Sequence, residues 1–274
     1  MLINDHFQNY KVYQIPKAQL IIADVPYNLG NNAYASNPAW YKDGDNKNGE
    51  SELAGTQFFP TDKDFRPAEF MHFCSTMLKP EKKVVKVEGE ARQKGDAPCM
   101  IIFCAFDQQM YYIELGKRYG LNNYINLVFR KNFSAQVLKA NMKIVGNCEY
   151  GLILYRERLP KFRNNGKMIF NCMDWPRDNE TEKIHPTQKP IELLERLIEI
   201  FTDPGDVVID PVAGSGTTLI AADNCGRKSY GFEIKKNFYN DAVRLMEQYK
   251  TRKAEIDKIG YSKTELSKDH PMLF

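Results

Sequence analysis

Apolar residues along this chain fall into two rhythms. In the first, near-continuous runs are closed off by turn-forming residues: Leu20 to Ala23, Met100 to Ala105, Tyr150 to Tyr155 and Asp206 to Ile209. Such runs predict strands buried on both faces. With Leu2-Ile3, Tyr124 to Phe129 and Ser229 to Phe232 they make seven predicted strands. In the second, the apolar positions recur at helical spacing. Pro67 to Leu78 carries Phe70, Phe73, Cys74 and Met77 in this way, and Ile191 to Phe201 sets Leu193, Leu194, Leu197, Ile198 and Phe201 on one face behind Pro190. Met110 to Tyr119, Thr217 to Asn224 and Lys236 to Lys253 also read as helices. Strands alternating with helices predict an α/β fold, with a doubly wound, mainly parallel, Rossmann-like sheet of seven strands and helices on both faces.

Three stretches break the pattern. Residues 28–64 are polar and rich in Gly and Asn, with Tyr34, Trp40 and Tyr41 among them. A loop this long is usually functional or disordered. Arg156, Arg158, Lys161, Arg163 and Lys167 face only Glu157 in their segment, and compete as a phosphate-binding patch with the reading of a solvated charge run. Lys79 to Asp96 mixes Lys and Glu and reads as a solvated excursion.

Composition changes this picture little. At 274 residues the chain can bury a full core. Its net charge of +3 neither demands nor excludes a nucleic acid. The six cysteines form no C-x-x-C pair and there are only four histidines, so no metal cluster is expected. The unpaired cysteines and the lack of a secretory signal point to a reducing, cytoplasmic setting. No apolar stretch approaches the ~20 residues that a membrane-spanning helix needs.

Chemistry enters at the strand ends. Asp5, Asp24, Asp210 and Glu233 each closely follow a predicted strand. One such acid is commonly a turn residue. Four together favour a ligand site, because open α/β sheets bind ligands beyond the carboxyl ends of their strands. Asp210-Pro211-Val212-Ala213-Gly214-Ser215-Gly216-Thr217 is a Gly-rich turn of the nucleotide-binding kind. The third glycine of a dinucleotide fingerprint is missing and there is no G-K-[ST], so an adenosine-containing ligand fits without a pyrophosphate. Glu233 ends the next strand, where a carboxylate usually accepts hydrogen bonds from ribose hydroxyls.

Three motifs together resemble the amino-group DNA methyltransferases. Asp24-Val25-Pro26-Tyr27 is similar to their D-P-P-Y, Asp210 to Thr217 to their D-P-F-x-G-S-G-T, and His185-Pro186-Thr187-Gln188-Lys189-Pro190 to their H-P-T-x-K-P. The catalytic motif precedes the cofactor motif, which is the circularly permuted order of the β group. Asn4-Asp5 stands where that group has an N-terminal G-D near the cofactor adenine. The resemblance implies a Rossmann-like methyltransferase sheet, S-adenosylmethionine as methyl donor, and DNA as substrate. It implies a single domain over 1–274, divided into a catalytic half over about 1–155, a recognition segment over about 156–184, a cofactor half over about 185–250 and a tail over 251–274.

The same resemblance assigns roles. Asp24 and the carbonyl of Val25 would accept the two hydrogens of the target amine, and Tyr27 would stack on the base after Pro26. Val25 departs from the family's proline; it keeps the carbonyl and loses the stiffening ring. Asp5, Asp24, Thr187, Lys189, Asp210, Pro211, Gly214, Ser215, Gly216, Thr217 and Glu233 would line the cofactor, with Thr187 and Lys189 toward its carboxylate. Trp40 and Tyr41 would meet DNA near a flipped base, joined by Arg156, Arg158, Lys161, Arg163 and Lys167 on phosphates. Asp at position 24 favours adenine N6; cytosine N4 and a catalytically inactive DNA-binding relative are the alternatives. Pro98-Cys99 superficially resembles a cytosine-C5 nucleophile pair, but it lies at a strand start and before the cofactor motif. Homodimers are common in the group, while restriction-modification, phage defence and regulation all stay open as settings. Met272-Leu273-Phe274 resembles the terminal peptides that dock on sliding clamps, although the leading Gln is absent and a tail folded onto its own domain is the weightier reading.

Overall fold

In a computed structural model the apolar runs become the centre of one sheet. The structure describes residues 1–27, 64–81, 95–132, 136–139, 144–175, 177–185 and 187–259. Trp40, Tyr41 and the terminal Met272-Leu273-Phe274 lie outside the described residues.

In chain order the strands are β1 (Leu2–Ile3), β2 (Leu20–Asp24), β3 (Cys99–Cys104), β4 (Asn123–Lys131), β5 (Gln136–Lys139), β6 (Ile144–Gly146), β7 (Cys148–Tyr155), β8 (Cys172–Trp175), β9 (Val207–Asp210) and β10 (Lys228–Phe232). The helices are α1 (Tyr10–Tyr13), α2 (Pro67–Met77), α3 (Gln109–Arg118), α4 (Ile191–Phe201), α5 (Thr217–Asn224) and α6 (Lys236–Ile259). Eight strands form the main sheet in the order β1-β10-β9-β2-β3-β7-β4-β8, and β5 pairs with β6 in a separate two-stranded sheet.

All seven predicted strands are present, and the expected count of seven is corrected to eight. The addition, β8, pairs parallel with β4 from Val128↔Cys172 to Lys131↔Trp175. It eluded the pattern because only Met173 and Trp175 of its four residues are buried. The sheet is parallel except at β7, which runs antiparallel to both β3 and β4. That reversal brings the amino end of β7 to the edge where its neighbours present their carboxyl ends.

Alternation along the strands divides the core into two layers. Ile21, Ala23, Met100, Ile102 and Cys104 pack with Phe70 and Phe73 of α2 and Tyr112 of α3. Leu20, Ile22, Ile101 and Phe103 pack with Leu194 and Ile198 of α4, Ile220 of α5 and Leu245 of α6. Pro67 opens α2 at its first turn, where the missing N–H costs no intrahelical bond. On β10, a Cβ at Gly231 would come within 2.8 Å of the Leu219 side chain, so glycine there allows α5 to lie close on the sheet.

The order of the sheet reverses between β9 and β2, which pair through Leu20↔Val208 and Ile21↔Ile209. From β9 the chain moves outward to β10, and from β2 it moves the other way to β3. In such a sheet the carboxyl ends of these two strands flank the switch point where ligands bind. They end in Asp210 and Asp24.

Candidate active site at the carboxyl ends of the strands

The two-residue period of the strands selects the side chains of the site. On the layer with α4 and α5, Leu20 and Ile22 lead to Asp24, Ile101 leads to Phe103, Leu127 and Phe129 lead to Lys131, and Met173 leads to Trp175. On the reversed β7, Ile153 leads back through Gly151 to Glu149. Two acids, a lysine and two aromatic rings thus share one face and one edge.

Lys189, just ahead of α4, closes this edge. Its ammonium lies 2.5 Å from Asp24 Oδ2 and donates more loosely to the Thr187 carbonyl at 3.4 Å. It sits over three rings, with centroids at 5.1 Å for Phe103, 5.6 Å for Trp175 and 5.8 Å for Tyr27. Such rings offer a buried cation the negative faces of their π systems. The second carboxylate oxygen, Asp24 Oδ1, is buried and accepts no hydrogen bond. Burial pushes the Asp24 pKa above the ordinary carboxylate value, although Lys189 pulls the other way.

A second network fixes the end of the Asp24–Tyr27 turn. The Tyr27 hydroxyl donates to Glu149 Oε2 at 2.7 Å, and Lys131 donates to Glu149 Oε1 at 2.5 Å. Burial alone would raise the Glu149 pKa, but the ammonium groups of Lys189 and Lys131 outweigh it and hold the carboxyl below its usual value. The Tyr27 phenol is pushed well above its ordinary pKa by burial and then by the charges of Asp24 and Glu149. Gln108 Nε2 donates to the Pro26 carbonyl at 3.1 Å, while its own Oε1 accepts from Ala105 N at 3.0 Å. Val25 is buried, and its N–H donates to the Phe103 carbonyl at 3.2 Å. That bond prolongs the β2–β3 ladder by one rung that a proline could not make.

Across the switch point, the Gly-rich turn binds itself to the next strand. Gly214 (φ 51°) and Gly216 (φ 73°) adopt left-handed backbone that side-chain-bearing residues rarely tolerate. The Gly214 N–H donates to Glu233 Oε2 at 3.0 Å, and Lys235 N–H donates to Oε1 at 2.7 Å. Pro211, Ser215 and Thr217 are buried in the turn, with the two hydroxyls 3.3 Å apart. Asp210 accepts from Val212 N–H at 3.1 Å, and burial drives its pKa up to about 7 against the pull of the Thr218 hydroxyl and that N–H. His185 packs on the open side of Gly214, 3.5 Å from where a Cβ would stand, and edge-on to Phe238 at 4.5 Å. Burial and nearby lysines lower it to about 4, so it is neutral near pH 7, and its Nδ1 lies 3.3 Å from Thr187 N–H and 3.2 Å from Thr187 Oγ1.

Other expected residues fall elsewhere. Asp5 is engaged in its own turn, accepting from Tyr13 Oη at 2.6 Å, His6 N–H at 2.7 Å and Asn9 Nδ2 at 2.8 Å. Its neighbour Asn4 reaches the Glu233 carbonyl at 2.8 Å, which ties β1 to the Gly-rich half. The basic run expected on phosphates sits at the amino ends of the strands, opposite Asp24. There Arg156 donates to the carbonyls of Ser75 and Lys79, and Arg163 binds Asp203 through two nitrogens at 2.7 and 2.8 Å. Lys161 meets Asp206 at 2.6 Å and Asp203 at 2.8 Å. Arg158 N–H donates to Glu81, and Lys167 lies on the turn after Asn164. Hollows of about 310 and 160 Å³ also lie at that end and do not include Asp24. Sequence reading passed over Glu149, Lys131, Trp175 and Gln108. The one local signal was an acid at the head of an apolar run.

Comparison with known proteins agrees with this layout. A family model described as DNA methylase, of the N6/N4 type, matches residues 110–244, which run from α3 through Glu149, Lys189 and the Gly-rich turn. Over these residues the chain belongs to the N6/N4 amino-group DNA methyltransferases. Among relatives of this methyltransferase, DNA adenine methyltransferase YhdJ of Escherichia coli (strain K12) is 28% identical over 255 residues, 89% of this chain and 81% of the relative. Among solved structures, the M1.HpyAVI–SAM complex has a TM-score of 0.60 at 20% identity, covering 90% of this methyltransferase and 99% of that chain. The cytosine-N4-specific PvuII DNA methyltransferase has a TM-score of 0.60 at 14% identity, covering 91% and 89%. At such identities the two structures bear on the fold alone.

Proposed function

We propose that this methyltransferase transfers a methyl group from S-adenosylmethionine to the exocyclic N6 amine of adenine in DNA, with the base flipped out of the helix. The observation that carries this reading is Asp24 Oδ1, a buried carboxylate oxygen with no hydrogen-bond partner at the switch point of the sheet. A desolvated acceptor of this kind is costly unless something supplies a donor. The amine of a base is such a donor.

That amine is a weak nucleophile, because its lone pair is delocalised into the ring. Asp24 Oδ1 and the Val25 carbonyl would take its two hydrogens and favour a geometry closer to sp³. Tyr27 would lie on the face of the base. As the new nitrogen–carbon bond forms and the donor's sulfur–carbon bond breaks, the nitrogen grows acidic. Its proton passes to Asp24, which burial already makes more basic than an ordinary carboxylate. Preorganised acceptors of this sort supply electrostatic catalysis without a covalent intermediate.

The residues across the switch point fit the donor. Glu233 keeps lone pairs for ribose hydroxyls beyond its two backbone contacts, and the left-handed glycines leave room for a close backbone approach. When bound, S-adenosylmethionine supplies a methyl group on a positively charged sulfur. Lys189 is better read as the partner of Asp24 than as a clamp on the donor's carboxylate, since it already lies 2.5 Å from Asp24. For the DNA backbone, Arg177 and Lys183 follow β8 at the catalytic edge, and after burial the charges of Lys131 and Arg177 lower the Lys183 pKa. Flipping the base costs a few kcal/mol, which pocket contacts must offset.

Base-modification sequencing of DNA from cells expressing the unaltered protein and Asp24→Ala tests the proposal. We expect N6-methyladenine at one short motif, absent with the variant. N4-methylcytosine instead would establish the other amino-group activity, which the likeness to a cytosine-N4-specific fold keeps in view. No new methylated motif would overturn the enzymatic reading.

A further inference from the structure

We infer that Glu149, backed by Lys131, is a positioning residue that holds the Tyr27 ring across the target base. This rests on the proposed function and concerns the same site. The backbone of the Asp24–Tyr27 turn is fixed as far as Pro26, by the Val25 N–H on the Phe103 carbonyl and by Gln108 on the Pro26 carbonyl. Beyond Pro26 the Tyr27 hydroxyl is held by Glu149 Oε2, which anchors the far end of the ring.

The placement of Glu149 argues for purpose. It is the second residue of the reversed strand and pairs with Phe129 of β4, two residues before Lys131. Only an antiparallel β7 delivers its first residues to the catalytic edge, and only the odd-numbered ones face Asp24. Its two oxygens have separate work: Oε2 takes the phenol and Oε1 takes the ammonium of Lys131, itself stacked on Trp175 at 4.7 Å. Lys131 is about 9% exposed and Glu149 about 18%, so both charges are largely withdrawn from water. A buried ion pair rarely adds net stability compared with apolar side chains of the same shape. A phenylalanine at 27 over an apolar 149 would pack without that desolvation. What the charged arrangement adds is direction: an ionised acceptor aligns a hydroxyl more firmly than a neutral one does.

A double-mutant cycle on the full-length protein tests this, using two duplexes that carry the motif returned by sequencing: one with adenine at the target position for the methylation rate, and one with 2-aminopurine there, which lacks the N6 amine, for fluorescence. Tyr27→Phe, Glu149→Gln and Glu149→Ala are compared with the double variant Tyr27→Phe/Glu149→Gln. Readouts are the single-turnover methylation rate, 2-aminopurine fluorescence and the affinity for S-adenosylmethionine. Misplacement of a stacking ring by about 1 Å is expected to slow methyl transfer on the order of 100-fold. We expect such a loss in Tyr27→Phe, a double variant no slower than that single, and unchanged donor affinity. Glu149→Gln keeps a carbonyl acceptor and should recover part of the rate lost in Glu149→Ala. If Glu149→Ala fails to fold, the cycle through Glu149→Gln still decides. Losses that multiply in the double variant, or a Glu149→Gln rate equal to that of the unaltered protein, would overturn the inference alone. Absence of methylation by the unaltered protein would instead remove the function on which it rests.

Discussion

At the amino ends of the strands, Lys161 meets Asp203, Asp206 and, at 3.7 Å, Asp96, while Lys79 reaches Asp206 as well. At the carboxyl ends, Lys189 meets one oxygen of Asp24 and leaves the other without a hydrogen. Both lysines are about 7% exposed and the residue types are the same. The acids differ in what surrounds them. Asp203 is held well below its ordinary pKa by hydrogen bonds from Arg163 and Lys161. Burial would raise Asp206, but Lys161, the Asp203 N–H and Lys79 outweigh it. Asp24, Asp210 and Glu233 are all raised, with burial the largest cause in each. At the amino end every one of these acids is met by a cation, and the buried atom without a partner is a donor, Arg163 Nη1; the carboxyl end instead keeps a buried acceptor, Asp24 Oδ1, that a ligand can complete.

The largest effect should come from removing the open acceptor. Asp24→Asn keeps the size of the side chain and one carbonyl oxygen, but loses the charge opposite Lys189. Methyl transfer should fall about 10³-fold, the scale of losing one preorganised electrostatic group. Donor affinity should change far less. A variant that still methylates at close to the normal rate would mean that the unpartnered oxygen is incidental.

The second test uses pH, where the two ends respond in opposite senses. Asp210 has its pKa raised from 3.8 to about 7, so the folded state binds the proton more tightly than the unfolded chain does. Its stabilising contribution is complete below pH 3.8 and is lost as pH rises through about 7. The span is on the order of 4 kcal/mol. Asp203 and Asp206 are lowered, so their contribution is present above the ordinary carboxylate value and lost as pH falls below it. Asp210→Asn, neutral throughout, should remove the Asp210 share of the decline between pH 5 and pH 8, and at pH 8 should melt higher than the unaltered protein by up to about 10 °C. Parallel melting curves for the two proteins across that range would refute the assignment of the shift to Asp210.

The third test addresses the amino end. Asp206→Ala leaves Lys161 short of its nearest acid, frees Lys79 and removes the acceptor for the Asp203 N–H. Breaking such a cluster should cost about 3 kcal/mol of stability, measured by urea unfolding. The methylation rate per folded molecule should stay within about twofold, since nothing at this end touches the switch point. A large loss of rate without loss of stability would erase the division between the two ends.

Sequence patterns revealed what is local and missed what depends on pairing. The central strands were legible because β2, β3 and β9 are buried on both faces and therefore read as unbroken apolar runs. Asp24, Lys189 and the Gly-rich turn were legible because each lies within a short motif. Glu149 and Lys131 gain their meaning from the reversal of β7 and its register with β4, and no window of contiguous residues contains that information. The basic run misled for the same reason. Arg163 and Lys161 look unopposed in their own segment, but their acids, Asp203 and Asp206, come after α4 and reach them only once the sheet has formed.

The smallest effect concerns the departure at Val25, and it links the turn back to the sheet. In this chain the Val25 N–H spans to the Phe103 carbonyl, so the catalytic turn is anchored by a rung of the β2–β3 ladder. Proline carries no N–H and would leave that carbonyl without its donor, but its ring would stiffen the backbone on either side of the acceptor carbonyl. The two changes oppose each other. Losing one partly shielded backbone hydrogen bond costs about 1 kcal/mol, while a proline that accepts the native backbone angles recovers roughly 0.4–1 kcal/mol by restricting the unfolded chain. Val25→Pro should therefore shift stability by less than about 1 kcal/mol, and it should leave the methylation rate within about threefold, because both residues present a carbonyl at the same place. If the variant instead loses activity as Asp24→Asn does, then the rung to Phe103 positions the second acceptor, and the catalytic turn depends on the sheet at Val25 as well as at Asp24.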